Sequence, residues 1–520
     1  MTTMNSSTET AATKPKTLEE YSESYKNLVK QLSTVSQLER AAAVLNYDEM
    51  VFMPGSPETS QQRGLQKSAM ASVIHEKSTD LKIGDWIDQS EVDLKELEDR
   101  DASAVLRLTK KGFVKNSRVP ADLVAKEAEL QSRAYMGWVK ARTEDKYEIF
   151  EPFLQECFET SMQIANAKRD SEDIATYDEM LDQFEVGMAS TRIDELFSEV
   201  RQALVPLIEK VLASESKPST DALHGTFDLE KQKELNEDIV KQLGFDTNHG
   251  RIDVSVHPFT TSFSPMDVRI TSRFREDEWY QGLAGSVHEC GHAIYEQNLG
   301  NSGLKIDSAL SMGMHESQSL FWERHVGLSK PFWKWATPQF NAKFDAEYTS
   351  EDMYGAVNAV SQSFIRVEAD ELNYPLHVVL RYGIERDVIE GTLEVKEIPK
   401  RWNADMKSLL NIDVPSDAKG CLQDVHWSGL AFGYFPTYLL GSMTAAQLAH
   451  YCHQEFPEMD EMIEKGEFKE IKAWLTEKVH KHGSRYNSLD EHLEDQLGEK
   501  LNPKYFIAYL TEKYSELYKC

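Results

Sequence analysis

Positive charge, cysteine and long apolar runs are what this 520-residue chain has least of. Its 57 Lys and Arg stand against 87 Asp and Glu, a formal net charge of −30. Neutralising phosphates takes clustered basic side chains, so neither nucleic acid nor an anionic membrane surface is an expected partner. Acidity of this size favours basic peptides where it lines a site and merely solvates helices elsewhere; composition leaves that choice open. The five cysteines (Cys157, Cys290, Cys421, Cys452 and Cys520) are odd in number, widely spaced and without a CxxC pattern. That excludes a disulfide framework and fits reduced thiols in a cytoplasmic setting. No stretch approaches 18 consecutive apolar residues, so no membrane span is expected. The first fifteen residues carry no apolar run and no arginine, and neither a secretory signal nor a transit peptide is expected.

Helical periodicity dominates what remains. Residues 1–16 read as a disordered Ser/Thr-rich tail, after which Thr17 with Glu20 forms a candidate capping box. Leu28, Leu32, Val35, Leu38, Ala42 and Leu45 recur at spacings of three and four. So do Ile193, Leu196, Phe197, Val200, Leu204, Leu207 and Ile208, with Ser190 and Thr191 as cap candidates. Residues 214–226 form the best loop candidate, dividing a helical part (17–213) from a second part (227–520). There the period changes: Ile252, Val254 and Val256 alternate with polar residues, as do Val268 and Ile270. Two short strands result, with His257 on the polar face of one and Asp267, Arg269 and Thr271 on that of the other. Paired as a ribbon they would turn these groups to a site, and a solvated strand face accounts for them equally well.

The densest chemistry lies in the run His288-Glu289-Cys290-Gly291-His292. On a helix, positions i and i+4 share a face, so His288 and His292 can hold one metal ion. Glu289 then stands within reach of a water at that metal, where it serves as general base. About 0.07 such matches arise by chance at this composition, so the surroundings have to corroborate it. Leu283, Val287, Gly291, Ile294 and Tyr295 supply a helical stripe around it. Gly291 costs about 1 kcal/mol against Ala inside a helix, a cost tolerated where another backbone approaches closely. Two histidines leave a catalytic zinc one protein ligand short. The residue six after His292 is Asn298, so the third ligand is not a histidine at that spacing. Glu316 is the best-placed downstream carboxylate, with Glu296 and Glu323 as alternatives.

Five segments in order then carry a resemblance: His257-Pro258-Phe259; Asp267-Val268-Arg269-Ile270-Thr271; the 288–292 run; His315-Glu316-Ser317-Gln318; and Ile365-Arg366-Val367-Glu368-Ala369-Asp370. A sixth, Gly420-Cys421-Leu422-Gln423-Asp424-Val425-His426-Trp427, follows, and residues 45–54 match an N-terminal segment in which Tyr47 replaces a common Trp. The chain resembles the carboxypeptidase Taq family of zinc metallocarboxypeptidases. The resemblance implies a mainly α, large helical fold of the HExxH-plus-distant-Glu kind, with a small β-sheet beside a deep groove. It implies one catalytic domain over 17–520, a homodimer, and zinc or cobalt held by His288, His292 and Glu316. Glu289 is then the general base and Arg366 the partner of a substrate's C-terminal carboxylate. Without the resemblance, a salt bridge from Arg366 to Glu368 or Asp370 is the simpler reading. Tyr438 and His426 are candidate hydrogen-bond donors to the tetrahedral intermediate, with Tyr434 in reserve. His257 and Arg269 are candidates for the groove wall, and Asp267, Gln423 and Asp424 for supporting groups. The expected activity is removal of C-terminal residues from peptides with broad specificity, acidic and proline-bearing C-termini being disfavoured. The alternatives are an oligopeptidase that cuts internally and a helical scaffold with a vestigial metal site.

Overall fold

The computed structural model describes residues 18–95 and 99–520; the expected tail and Thr17 of the capping box lie outside them. Twenty α-helices and three strands make up the described chain, a mainly helical protein with one small sheet. The stripe on the helix Ser190–Ala213 is buried as its period predicts. Its cap differs: Ala189 stands at the N-cap, and the Ser190 N–H donates to Asp178 Oδ1 at 2.8 Å. A carboxylate from a preceding helix thus does what a local hydroxyl was expected to do.

The sheet has one strand more than the alternation predicts. Its strands are β1 (Gly250–Val254), β2 (Thr260–Ser264) and β3 (Asp267–Ser272), in the order β1-β3-β2. β1 pairs parallel with β3, and β2 pairs antiparallel with it. β2 carries a single apolar residue, Phe263, among Thr and Ser, so hydrophobic alternation had little to register. His257 lies in the connection before β2, exposed.

The apolar core divides near residue 118 rather than at the 214–226 loop. Tyr25, Leu28, Ile83, Ile87, Leu94 and Val105 gather with Ile306 in a small cluster. The helices Ala121–Glu144, Tyr147–Lys168 and Ser190–Ala213 instead share one large core with the chain after 227. Between the two runs a cavity of about 1180 Å³, lined from one side by Leu32, Val105 and Phe113 and from the other by Ser262, Phe263 and Glu296.

Candidate metal centre and the groove beside it

The helix Trp279–Asn298 buries twelve of its twenty residues and carries both histidines of the 288–292 run. Gly291 is the reason a second helix can reach them. A Cβ at Gly291 would lie 2.5 Å from the Gln318 carbonyl oxygen and 2.6 Å from Ser319 Cα, inside any tolerable contact. The backbone of Met312–Leu320 therefore rests directly on the histidine helix, with Ser311 capping it. On its far side, Gly441 of the helix Pro436–Glu455 lies against Glu316, where a Cβ would meet Glu316 Cβ at 2.8 Å. Two glycines set the depth at which Glu316 sits.

The result is a three-ligand cluster. Ligand atoms of His288, His292 and Glu316 all lie within 4.8 Å of one another. Glu316 Oε2 is 3.5 Å from His292 Nε2 and 3.9 Å from His288 Nε2. The opposite ring nitrogens are already engaged: His288 Nδ1 meets Glu323 Oε2 at 2.6 Å, and His292 Nδ1 meets the His315 carbonyl at 3.1 Å. Each Nε2 is thereby turned toward the shared point, the arrangement that orients metal-binding imidazoles. Two nitrogens and one oxygen are the donors of a catalytic divalent site with an open position. The residues fit the group. The charges agree: burial opposes protonation of His288, yet Glu316 and Glu323 outweigh it and raise it to about 10. Burial likewise opposes ionisation of Glu316, yet the two imidazoles hold it down at about 2. The centre favours a cation.

Glu289 lies one residue round the helix, its Oε2 accepting a 2.6 Å hydrogen bond from the Thr260 hydroxyl on β2. The sheet thus fixes the carboxylate beside the metal cluster. Glu323, weighed as a ligand, instead holds the back of His288, and Glu296 meets His315 Nε2 at 3.1 Å. Asp267 gives both carboxylate oxygens to Arg269 at 2.9 Å, so Glu323 supplies the support to a histidine that was expected of Asp267. Arg269 lies over the rings of Tyr47 and Phe263. It ties β3 to the first long helix rather than reaching into the cluster.

Arg366 is 4 % exposed and pairs neither with Glu368 nor with Asp370. Its Nε and Nη2 donate to Asp424 Oδ1 at 3.2 and 2.9 Å, and its Nη1 to the Tyr374 hydroxyl at 3.0 Å. Arg381 binds the other oxygen of the same carboxylate at 2.6 Å. Gln423 accepts from the Arg366 backbone N–H at 2.8 Å and from Arg381 Nη2 at 2.7 Å. Two buried guanidinium groups thus share one carboxylate, and one positive charge is left over. Tyr438 stacks against Arg366 at 4.8 Å and meets His426 Nε2 at 3.2 Å. Burial pushes His426 down to about 4, which keeps the imidazole neutral. Tyr438 and Gly441 lie three residues apart on one helix face, so this cationic cluster adjoins Glu316. Thr260, Tyr374 and Arg381 carried no signal in the sequence: each acts through a contact far along the chain, and none sits in a periodic or chemically dense run.

The wider comparisons concern the chain as a whole. Residues 27–514 match the family described as carboxypeptidase Taq (M32) metallopeptidase. Carboxypeptidase 1 of Bacillus subtilis is 38% identical over 507 residues, covering 96% of this chain and 99% of that protein. The crystal structure of an M32 carboxypeptidase from Deinococcus radiodurans superposes with a TM-score of 0.92 at 31% identity, over 96% of this chain and 100% of that one. Metallocarboxypeptidase 1 of Trypanosoma cruzi gives 0.90 at 34%, over 96% and 100%. With the two-histidine, one-glutamate centre already in place, these likenesses make the chain a member of the carboxypeptidase Taq (M32) family of metallopeptidases, hydrolases acting on peptide bonds.

Proposed function

We propose that this chain is a zinc-dependent carboxypeptidase that removes single C-terminal residues from peptides by Glu289-assisted attack of water. The observation that carries the proposal is the surplus buried charge of Arg366 and Arg381 over Asp424, set beside the His288–His292–Glu316 centre. A guanidinium has five N–H donors. Arg366 gives three to Asp424 and Tyr374, leaving one on each terminal nitrogen for a planar carboxylate. A free C-terminus neutralises the charge left over.

Zinc, or cobalt in its place, held by His288, His292 and Glu316, supplies a Lewis acid that lowers the pKa of water toward about 7 and polarises the scissile carbonyl. Glu289, steadied by Thr260, takes the proton of the attacking water and returns it to the leaving amine. The Tyr438 hydroxyl, with neutral His426 behind it, donates to the developing oxyanion. Glu323 and the His315 carbonyl keep the two imidazoles in register; Gln423 and Asp424 do the same for Arg366. His257 and Arg269 belong to the outer wall of the groove. Broad specificity with acidic and proline C-termini disfavoured, a single catalytic domain, a cytoplasmic location and a homodimer complete the reading. The unpaired cysteines and the absence, among the described residues, of any helix apolar enough to cross a membrane accord with it.

The test uses matched peptides with free and amidated C-termini, with and without chelator, and reads products by mass. Stepwise loss of single residues from the free peptide alone, stopped by chelator, is expected. Internal fragments from either peptide would overturn the exopeptidase reading.

A further inference from the structure

Glu296 joins the metal centre to the groove. It follows His292 by four residues on the same helix, and so projects from the same face one turn further along. Its carboxylate meets His315 Nε2 at 3.1 Å, and the His315 ring stacks on His292 at 4.3 Å. The Ser262 hydroxyl on β2 helps to hold Glu296 ionised. Glu296 and Ser262 both line the 1180 Å³ cavity, whereas Arg366, Asp424 and Tyr438 do not. On the proposed reading the C-terminal carboxylate lies with Arg366, and the chain upstream of the scissile bond runs into the cavity past Glu296.

We infer that Glu296 is a specificity-determining residue, which favours a lysine or arginine side chain at the first or second residue upstream of the scissile bond. A helical turn of about 5.4 Å is spanned by one to two residues of extended peptide at about 3.3 Å each. His315 and Ser262 occupy only part of a carboxylate's roughly four acceptor sites, which leaves capacity toward the groove. Among the described residues, Glu296 shares the cavity with basic groups but forms no ion pair with them. The Lys and Arg side chains lining the cavity are Arg40, Lys168 and Lys305, whereas the ion-pair partner of Glu296 is His315; Asp307 pairs with Arg485.

The inference rests on the carboxypeptidase reading, and the experiment separates the two. Peptides sharing a free C-terminal alanine carry Lys, Ala or Glu at each of the two preceding positions in turn, and kcat/KM is measured. The wild-type enzyme is expected to prefer Lys over Glu by about tenfold or more at one of the positions, the factor that about 1.4 kcal/mol supplies. Glu296→Gln keeps an oxygen for His315 and is expected to bring the ratio near one, while Glu296→Asp retains most of it. Ser262→Lys, which sets an ammonium against Glu296 without substituting any residue of the histidine helix, is expected to cancel the preference too. A wild-type ratio of one or below, or a ratio unchanged in both Glu296→Gln and Ser262→Lys, overturns the inference. No cleavage of any of the peptides overturns the carboxypeptidase reading beneath it.

Discussion

The first long helix, Glu23–Val51, and the histidine helix, Trp279–Asn298, both contribute to the wall of the same cavity, yet they are held very differently. The first buries four of 29 residues, and its neighbour Pro57–Ser78 buries none. The histidine helix buries twelve of twenty and is pressed by backbone at Gly291. The difference separates two tasks. Ligand positions need packing on all sides, because a buried side chain in a dense environment has few alternatives. A roof over a cavity needs only enough contact to stay attached, and regions with few buried contacts open at low cost.

The largest expected effect lies in the floor. Glu289→Gln removes the proposed general base while leaving His288, His292 and Glu316 in place. Peptide hydrolysis is expected to fall by about 10²–10⁴-fold with metal content unchanged, as read by elemental analysis. Retained turnover would take Glu289 out of the mechanism.

A pair of glycine substitutions breaks the comparison directly. Gly291→Ala forces a Cβ into the Gln318 carbonyl and is expected to cost about 1–3 kcal/mol and to weaken metal binding, since Glu316 rides on the displaced helix. Gly64→Ala, on the helix Pro57–Ser78 with nothing within 4 Å, is expected to stabilise by about 0.5–1 kcal/mol. Chemical denaturation of both variants checks the signs. Equal effects would erase the distinction between floor and roof.

Tyr47 is where the two are tied. It is 1 % exposed, donates to Asp253 Oδ2 at 2.6 Å and packs edge-on against Phe259 and Phe263. Tyr47→Phe is expected to cost about 1 kcal/mol and to speed hydrogen exchange over residues 23–51 without changing it over 279–298. Uniform acceleration would mean that the roof and floor open together.

The smallest effect is one of pH. Glu185 is fully buried, accepts from the Gly313 N–H at the start of the Glu316 helix, and is raised by burial from 4.5 to about 8. A carboxyl whose folded pKa lies above its unfolded one is favoured in its protonated form. Its contribution is complete below about 4.5 and is lost as pH rises through about 8. Glu185→Gln, which keeps the acceptor and removes the charge, is expected to gain on the wild type steadily between pH 5 and 8 in denaturation midpoints. A constant difference across that range would remove Glu185 as the source.

Much of the floor was legible because its signals are local. Residues 283–295 carry a helical stripe and an i, i+4 histidine pair, and the glycine between them already pointed to a close backbone. β2 was not legible, since its Thr and Ser give no alternation and pairing with β3 alone makes it a strand. The division of the core was missed for a related reason. The stripes on residues 121–213 show that these helices bury a face but not which face meets them.

By itself, then, the sequence determined the helical class, the acidic surface and the placing of His288, Glu289 and His292 on adjoining helix positions, because helical geometry is fixed by a period of a few residues. Only the tertiary structure decided that Glu316 faces both Nε2 atoms while Glu323 stands behind His288, that Thr260 fixes Glu289, and that Arg366 and Arg381 divide one aspartate. Those choices depend on how closely two backbones approach. In this protein that distance is set by glycines at 291 and 441, whose meaning appears only when the opposing helix is in place.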